Sequence, residues 1–245
     1  MDSLRQQILM VLHHEFRTPL SYIVAYSDLL LNTPAFASNP DVRQLRDGII
    51  SGSDRLTTLI ENFLILAELE SGYGINIFTT RRAMIHDMQG FVPRIIDELS
   101  QKAAERGVEV MYQSKGSIPS MLGDEVYLKA AIKQLIDNAI KFSPKHQNAS
   151  VDVHADVEEG ELVISVTDHG VGIPESEIEL LFDPFYQFNR KKNEQQGSGA
   201  GLAIVRRVTM LHQGRVEVES QPGEGACFRL WIPVVTSFEE IPQPA

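Results

Sequence analysis

The stretch His14-Glu15-Phe16-Arg17-Thr18-Pro19-Leu20 sets an imidazole, a carboxylate and a hydroxyl close together. Leu9, Leu12, Phe16, Pro19, Ile23 and Leu30 recur around it at steps of about three and four, the spacing of an amphipathic helix. With the apolar seam centred between Leu12 and Phe16, about 100° per residue puts His14 roughly 180° from it. His14 is therefore expected to face solvent, with Thr18 one turn on along the same face. A neutral imidazole nitrogen is a good nucleophile, and a reference pKa of about 6.5 leaves it mostly neutral at pH 7. Glu15 could accept the proton from the other ring nitrogen as attack proceeds. Pro19 removes a helical hydrogen bond and is expected to bend the helix. His13 lies only about 80° from the seam and lacks a following Glu, so it is expected to be a flank residue. A His-Glu pair alone is common on helix surfaces; the whole string carries the reading.

Four further motifs follow in the second half of the chain. In Gln134-Leu135-Ile136-Asp137-Asn138-Ala139-Ile140-Lys141-Phe142-Ser143-Pro144, Gln134 and Asn138 are one helical turn apart and share a face. Amide oxygens are hard ligands that suit Mg2+, and Lys141 could meet a phosphate. Asp168-His169-Gly170-Val171-Gly172-Ile173-Pro174 directly follows an expected strand. An Asp at a strand end can accept from an adenine amino group, and the glycines allow close backbone approach. Leu181-Phe182-Asp183-Pro184-Phe185-Tyr186 is an aromatic patch suited to core packing, anchoring one end of a polar stretch from Gln187 to Gln196. That stretch carries Arg190, Lys191 and Lys192 and has the composition of a flexible lid over phosphates. Gly197-Ser198-Gly199-Ala200-Gly201-Leu202 opens a helix, where backbone N–H groups attract phosphate. Asp, Gly, Asn and Ala are ordinary in turns and on helices, so each motif alone says little.

The elements that must position these groups divide the chain. Val42, Leu45, Ile49, Leu56, Leu59, Phe63 and Leu66 make a second heptad-like seam, with Asn32 to Pro40 as the loop before it. Two antiparallel helices have too little core alone, so pairing of two copies into a four-helix bundle is expected. Gly72 and Gly74 mark a boundary. Beyond them, Ile75 to Phe78 and Val108 to Tyr112 read as short strands flanking a helical region that Pro93 bends or restarts. Asp124 to Phe142 and Gly201 to Leu211 read as helices. Val151 to Val157 and Leu162 to Thr167 read as a hairpin, as do Val216 to Val218 and Ala226 to Ile232. The expected class is α+β with a mixed sheet.

The 245 residues suffice for one large or two modest domains, and 43% hydrophobic content supports a sizeable core. A formal charge of -11 argues against a broad nucleic-acid or anionic-membrane surface, though not against a local nucleotide pocket. The single Cys227 excludes an intramolecular disulfide and fits a reducing compartment. No window approaches the roughly 20 apolar residues of a membrane span. The expected location is cytoplasmic, either alone or as the cytosolic part of a longer membrane receptor.

Taken together, the first string closely resembles the phosphoacceptor motif of sensor histidine kinases, His-Glu-Leu-Arg-Thr-Pro-Leu, with Phe16 as the departure. The later motifs, in this order and spacing, resemble the nucleotide boxes of the GHKL (Bergerat) ATP-binding fold. The resemblance covers about residues 3 to 233. It implies a dimerisation and phosphotransfer hairpin over 1–72, an ATP-binding α/β sandwich over 73–236 and a loose tail over 237–245. It implies catalytic roles for His14, Glu15 and Thr18. It implies nucleotide contacts from Asn138, Lys141, Phe142, Asp168, Gly170, Gly172, Ile173, Lys192, Gly197, Gly199, Gly201 and Leu202. Mg2+ would be held by Asn138 and Gln134. The implied partners are a second copy of the chain and the receiver domain of a response regulator, whose aspartate takes the phosphoryl group. Glu15 and Thr18 also match positions that support dephosphorylation of that partner. Gln134 stands where these kinases often carry Asn and GHKL ATPases carry a basic Glu; a Gln cannot take a proton, which disfavours hydrolysis by that route. His169 replaces an Asn, and Ala226 stands where Thr is common. The alternatives are a GHKL-type ATPase and a non-catalytic signalling scaffold.

Overall fold

The computed structural model describes residues 21, 23–29, 39–144, 149–188 and 199–236. His14, Glu15, Thr18, Lys192 and Gly197 therefore lie outside the described residues, as do His13, every member of the first seam but Ile23, most of the loop before the second seam, the basic residues Arg190 and Lys191, and the tail over 237–245. The chain separates into two compact units, Met1–Tyr73 and Gly74–Ala245.

In the first unit residues 23–29 are helical, and the second seam lies on helix α1 (Pro40–Glu70). Asn39 caps α1 by accepting from the Asp41 N–H, and Pro40 occupies the first turn, where its missing N–H costs nothing. Leu45, Ile49, Leu56 and Phe63 are exposed in the single chain. They recur at four and then seven residues, a heptad stripe of large apolar side chains. Such a stripe is a contiguous apolar surface along one face of the helix. No helix among the described residues is long and apolar enough to cross a membrane.

The second unit opens with α2 (Tyr73–Arg81), entered through Gly72 at φ 74°. The strand expected over Ile75 to Phe78 is thus a helix. Its β-branched and aromatic residues gave a strand signal, but tertiary contacts decide otherwise. The Phe78 ring stands edge-on to the His212 ring at 4.7 Å. The Thr79 and Thr80 hydroxyls donate to carbonyls one turn back, those of Ile75 and Asn76. Arg81 Nε donates to the Asp124 carboxylate at 2.7 Å, and its guanidinium lies over the Tyr127 ring.

The remaining elements are β1 (Ala83–Ile85), α3 (Phe91–Arg106), β2 (Val108–Gln113), β3 (Met121–Gly123), α4 (Glu125–Phe142), β4 (Ala149–Glu158), β5 (Glu161–Asp168), α5 (Glu175–Ile178), α6 (Gly201–Leu211), β6 (Arg215–Gln221) and β7 (Gly225–Pro233). Pro93 falls in the first turn of α3, where its missing N–H has no helical partner to lose. The helix ends where Gly107 turns left-handed at φ 67°. β1 and β3 form a small antiparallel pair; the main sheet has five strands in the order β2-β4-β5-β7-β6. Only the β2–β4 pair is parallel, so the sheet is mixed, as expected.

One sheet face is apolar. Val151, Val153 and Ala155 of β4, Leu162, Ile164 and Val166 of β5, and Phe228, Leu230 and Ile232 of β7 are buried. The period of two sends the alternate residues to the other face. α4 packs between α3 and α6. Its Leu128, Ala131, Ile132, Leu135, Ile136, Ala139 and Ile140 are buried, leaving Gln134 and Asn138 on a half-buried face.

His212, just past α6, is buried and fixed at both ring nitrogens. Nδ1 lies 2.8 Å from the Val208 carbonyl, and Nε2 lies 3.0 Å from the Asp124 N–H. A carbonyl can only accept and an N–H can only donate, so the ring carries its proton on Nδ1. Burial pushes its pKa down. Asp124 caps α4, accepting from the Val126 and Tyr127 N–H groups.

Candidate active site

The five strands and three long helices bring the motifs of the second unit to one place, and the glycines record how closely. β5 ends at Asp168, which is 6% exposed. One carboxylate oxygen accepts from the Gly170 N–H at 2.8 Å. Burial pushes the pKa of this carboxyl up, and the Gly170 hydrogen bond partly opposes that. A Cβ on Gly170 would run into the Phe142 carbonyl, so the end of α4 and the loop after β5 lie in direct backbone contact. Gly172 takes φ 66°, and a Cβ there would overlap the Gln221 carbonyl. Ile173 follows, its N–H tied to β6 by a hydrogen bond at 2.9 Å. His169 points away to pair with Asp152 at 3.2 Å, on an exposed surface.

The opposite side is built from α4 and the start of α6. A Cβ on Gly201 would come within 2.5 Å of the Gln134 side-chain oxygen, so that amide abuts the first turn of α6. Gly199, at φ 73°, would place a Cβ 2.7 Å from the Phe185 backbone. The Phe185 N–H donates to the Gly199 carbonyl at 2.9 Å, tying the aromatic motif to the glycine motif. Phe182 is buried, as an anchor should be, whereas Phe185 is exposed. Tyr186 donates to Glu177, and that bond raises the phenol's pKa. α6 opens without a side-chain cap, and Leu202 is half-buried in its first turn. Lys141 lies over the Phe142 ring at 4.5 Å.

Thus Gln134 meets Gly201, Phe142 meets Gly170, and Gly199 meets Phe185, while Lys192 and Gly197 lie outside the described residues. The set combines a buried carboxylate, adjacent side-chain amides, a lysine and backbone that approaches too closely for any side chain but glycine. Its buried carboxylate is a hydrogen-bond acceptor, and its amide oxygens are hard donors.

Sequence reasoning missed the groups that hold this frame. Arg106, in the last turn of α3, donates to the carbonyls of Ile140 and Lys141 at the end of α4. Lys102 pairs with Asp137, and Lys129 and Lys133 with Glu98, fastening α3 to α4. The only sequence signal for Arg106 is a basic residue before a helix-ending glycine, which is common.

Residues 123–236 match the family model described as histidine kinase-, DNA gyrase B- and HSP90-like ATPase. Residues 4–72 match that of the His Kinase A (phospho-acceptor) domain. The chain belongs to the sensor histidine kinases. Its second unit has the fold of the GHKL ATPases. The kinase core is 30% identical over 221 residues to the phytochrome-like protein Cph1 of Synechocystis, covering 90% of this chain and 28% of that one. It is 26% identical to the adaptive-response sensory kinase SasA of Crocosphaera subtropica, covering 94% and 59%. The chain thus spans less than two thirds of the length of these relatives. Among solved structures, full-length ShkA in complex with AMPPNP superposes with a TM-score of 0.70 at 27% identity, over 94% of this chain and 46% of that one. The mycobacterial sensor histidine kinase MprB gives 0.53 at 26% identity, over 63% and 98%.

Proposed function

We propose that this kinase core phosphorylates its own His14 from ATP and passes the phosphoryl group to an aspartate on the receiver domain of a response regulator. Residues 1–72 are the dimerising phosphotransfer hairpin, 73–236 the ATP-binding domain and 237–245 a tail. The observation that carries the reading is the order of parts in one chain, with a phospho-acceptor match that contains His14 preceding an ATP-binding match that contains the Asp168 cradle.

In the reaction, the neutral His14 nitrogen attacks the γ-phosphorus in line. An N–P bond forms, the bond to the ADP oxygen breaks, and Glu15 takes the proton from the other ring nitrogen. Asp168 accepts the adenine amino hydrogen, with Gly170, Gly172, Ile173 and Phe142 against the base. Lys141, Lys192 and the backbone at Gly197, Gly199, Gly201 and Leu202 hold phosphate oxygens. Asn138 and Gln134 fit a magnesium ion by donor type, and the Gln134 amide lies beside the α6 N-terminus. That ion supplies charge neutralisation on the phosphates when bound, so the protein's own task is positioning and electrostatics. The proposed compartment is the cytoplasm.

Incubation with γ-labelled ATP tests the reading. An acid-labile, base-stable phosphoprotein, lost in His14→Gln and kept in His13→Gln, is the expected result. Free phosphate without labelled protein would make the chain an ATPase, and neither product would make it a scaffold.

A further inference from the structure

The loop after Asp168 is gripped from behind by the β6–β7 hairpin. The Gly223 N–H donates to the Val171 carbonyl at 2.8 Å. The side chain of Ser220, the penultimate residue of β6, makes two bonds. Its hydroxyl oxygen accepts from the Ile173 N–H at 2.9 Å, and its proton goes to the Gly225 carbonyl at 2.6 Å. Gly225, at φ 84°, lies directly against the Asp168 backbone, where a Cβ would overlap the Asp168 carbonyl. One hydroxyl therefore links the far end of the 170–173 loop to the strand on which Asp168 rests. Both its partners are backbone groups, so the oxygen has little freedom of its own.

We infer that Ser220 is a positioning residue for nucleotide recognition. Its hydroxyl fixes the 170–173 loop relative to the Asp168 carboxylate and thereby sets ATP affinity without touching the nucleotide. This rests on the reading of Asp168 as the adenine acceptor. Ala leaves the Ile173 N–H without its acceptor. Val fills the same space as Thr but has no hydroxyl, whereas Thr keeps both bonds and suits a strand. The comparison of Thr with Val isolates the hydroxyl from packing.

The test uses the full chain with magnesium. It combines calorimetry with AMPPNP, autophosphorylation at varied ATP, and amide exchange at Ile173 without nucleotide. Ser220→Ala and Ser220→Val are expected to weaken AMPPNP binding about three- to tenfold, the worth of one lost hydrogen bond. KM for ATP should rise in step, while the rate at saturating ATP stays within about twofold and exchange at Ile173 accelerates. Ser220→Thr should restore all three. A Ser220→Val protein that binds like wild type, a Thr variant as weak as the Val variant, or a loss confined to the saturated rate would each overturn the inference. Asp168→Asn is run alongside. If it weakens binding while Ser220→Val does not, only the brace fails; if it binds like wild type, the base reading fails and the brace with it.

Discussion

Asp168→Asn should separate binding from stability, moving them in different directions. Asp168 is 6% exposed, and its carboxylate already accepts from Gly170 with one oxygen. An Asn side chain keeps an acceptor for that N–H but turns an NH2 toward the adenine amino group, so a donor faces a donor. A hydrogen bond to a charged acceptor is worth about 1.5–3 kcal/mol, or roughly ten- to a hundredfold in affinity. Calorimetry with AMPPNP and magnesium should show that loss. Stability should not follow. Burial raises the Asp168 pKa above its ordinary 3.8, so the fold favours the protonated carboxyl. The stability this gives the wild type is complete below the unfolded pKa and is lost as pH rises through the folded one. Near neutral pH the buried charge is a burden that Asn does not carry. Thermal unfolding should therefore find the variant at least as stable as wild type at pH 7, and relatively less so as pH falls toward 4. Unchanged affinity would refute the base contact. A variant clearly less stable at pH 7 would refute the account of burial.

Three other perturbations probe the frame. Arg81→Ala leaves the fully buried Asp124 carboxylate without its cation and should cost about 2–3 kcal/mol in urea unfolding, below the usual range for a buried pair because Arg81 itself is 36% exposed. A loss under about 0.5 kcal/mol would mean that water replaces the arginine. Arg106→Ala removes the donors to the Ile140 and Lys141 carbonyls and should cost about 1–3 kcal/mol, with faster amide exchange in the last turn of α4. Unchanged exchange there would show that the helix end does not need it. Leu56→Asp puts a charge into the exposed heptad stripe and should yield monomers or a melted hairpin by light scattering, since pairing would bury that charge at several kcal/mol. A mutant that stays dimeric would place the interface elsewhere.

Much of the catalytic unit was legible because its elements announce themselves locally. Val151 to Val157 alternates, and Glu159-Gly160 then takes two left-handed residues, the geometry of a tight hairpin. The eight buried residues of α4 recur at helical spacing. The glycine motifs were legible for a related reason: backbone contacts such as Gly170 on Phe142 exclude every other residue type, so the site writes itself into composition. What escaped depends on distant partners. β1 and β3 are three residues each, too short for a period, and exist because they pair with one another. α2 is a helix against its β-branched composition, held where Phe78 meets His212 and Arg81 meets Asp124. No local pattern ties Arg106 to a helix end 34 residues away.

The locked ring of His212 has a consequence for selectivity. A histidine receives a phosphoryl group through a free nitrogen lone pair. On His212 the Nδ1 position carries a proton given to Val208, and the Nε2 lone pair is occupied by the Asp124 N–H. The ring is also buried beside Phe78. The kinase core thus keeps an imidazole inside the very domain that holds its phosphoryl donor, yet that imidazole has no electron pair to offer. Nucleophilicity has been withdrawn by hydrogen bonding rather than by removing the residue. The Nε2 bond also joins the end of α6 to the N-cap of α4, so unmasking that nitrogen would require parting the two helices there.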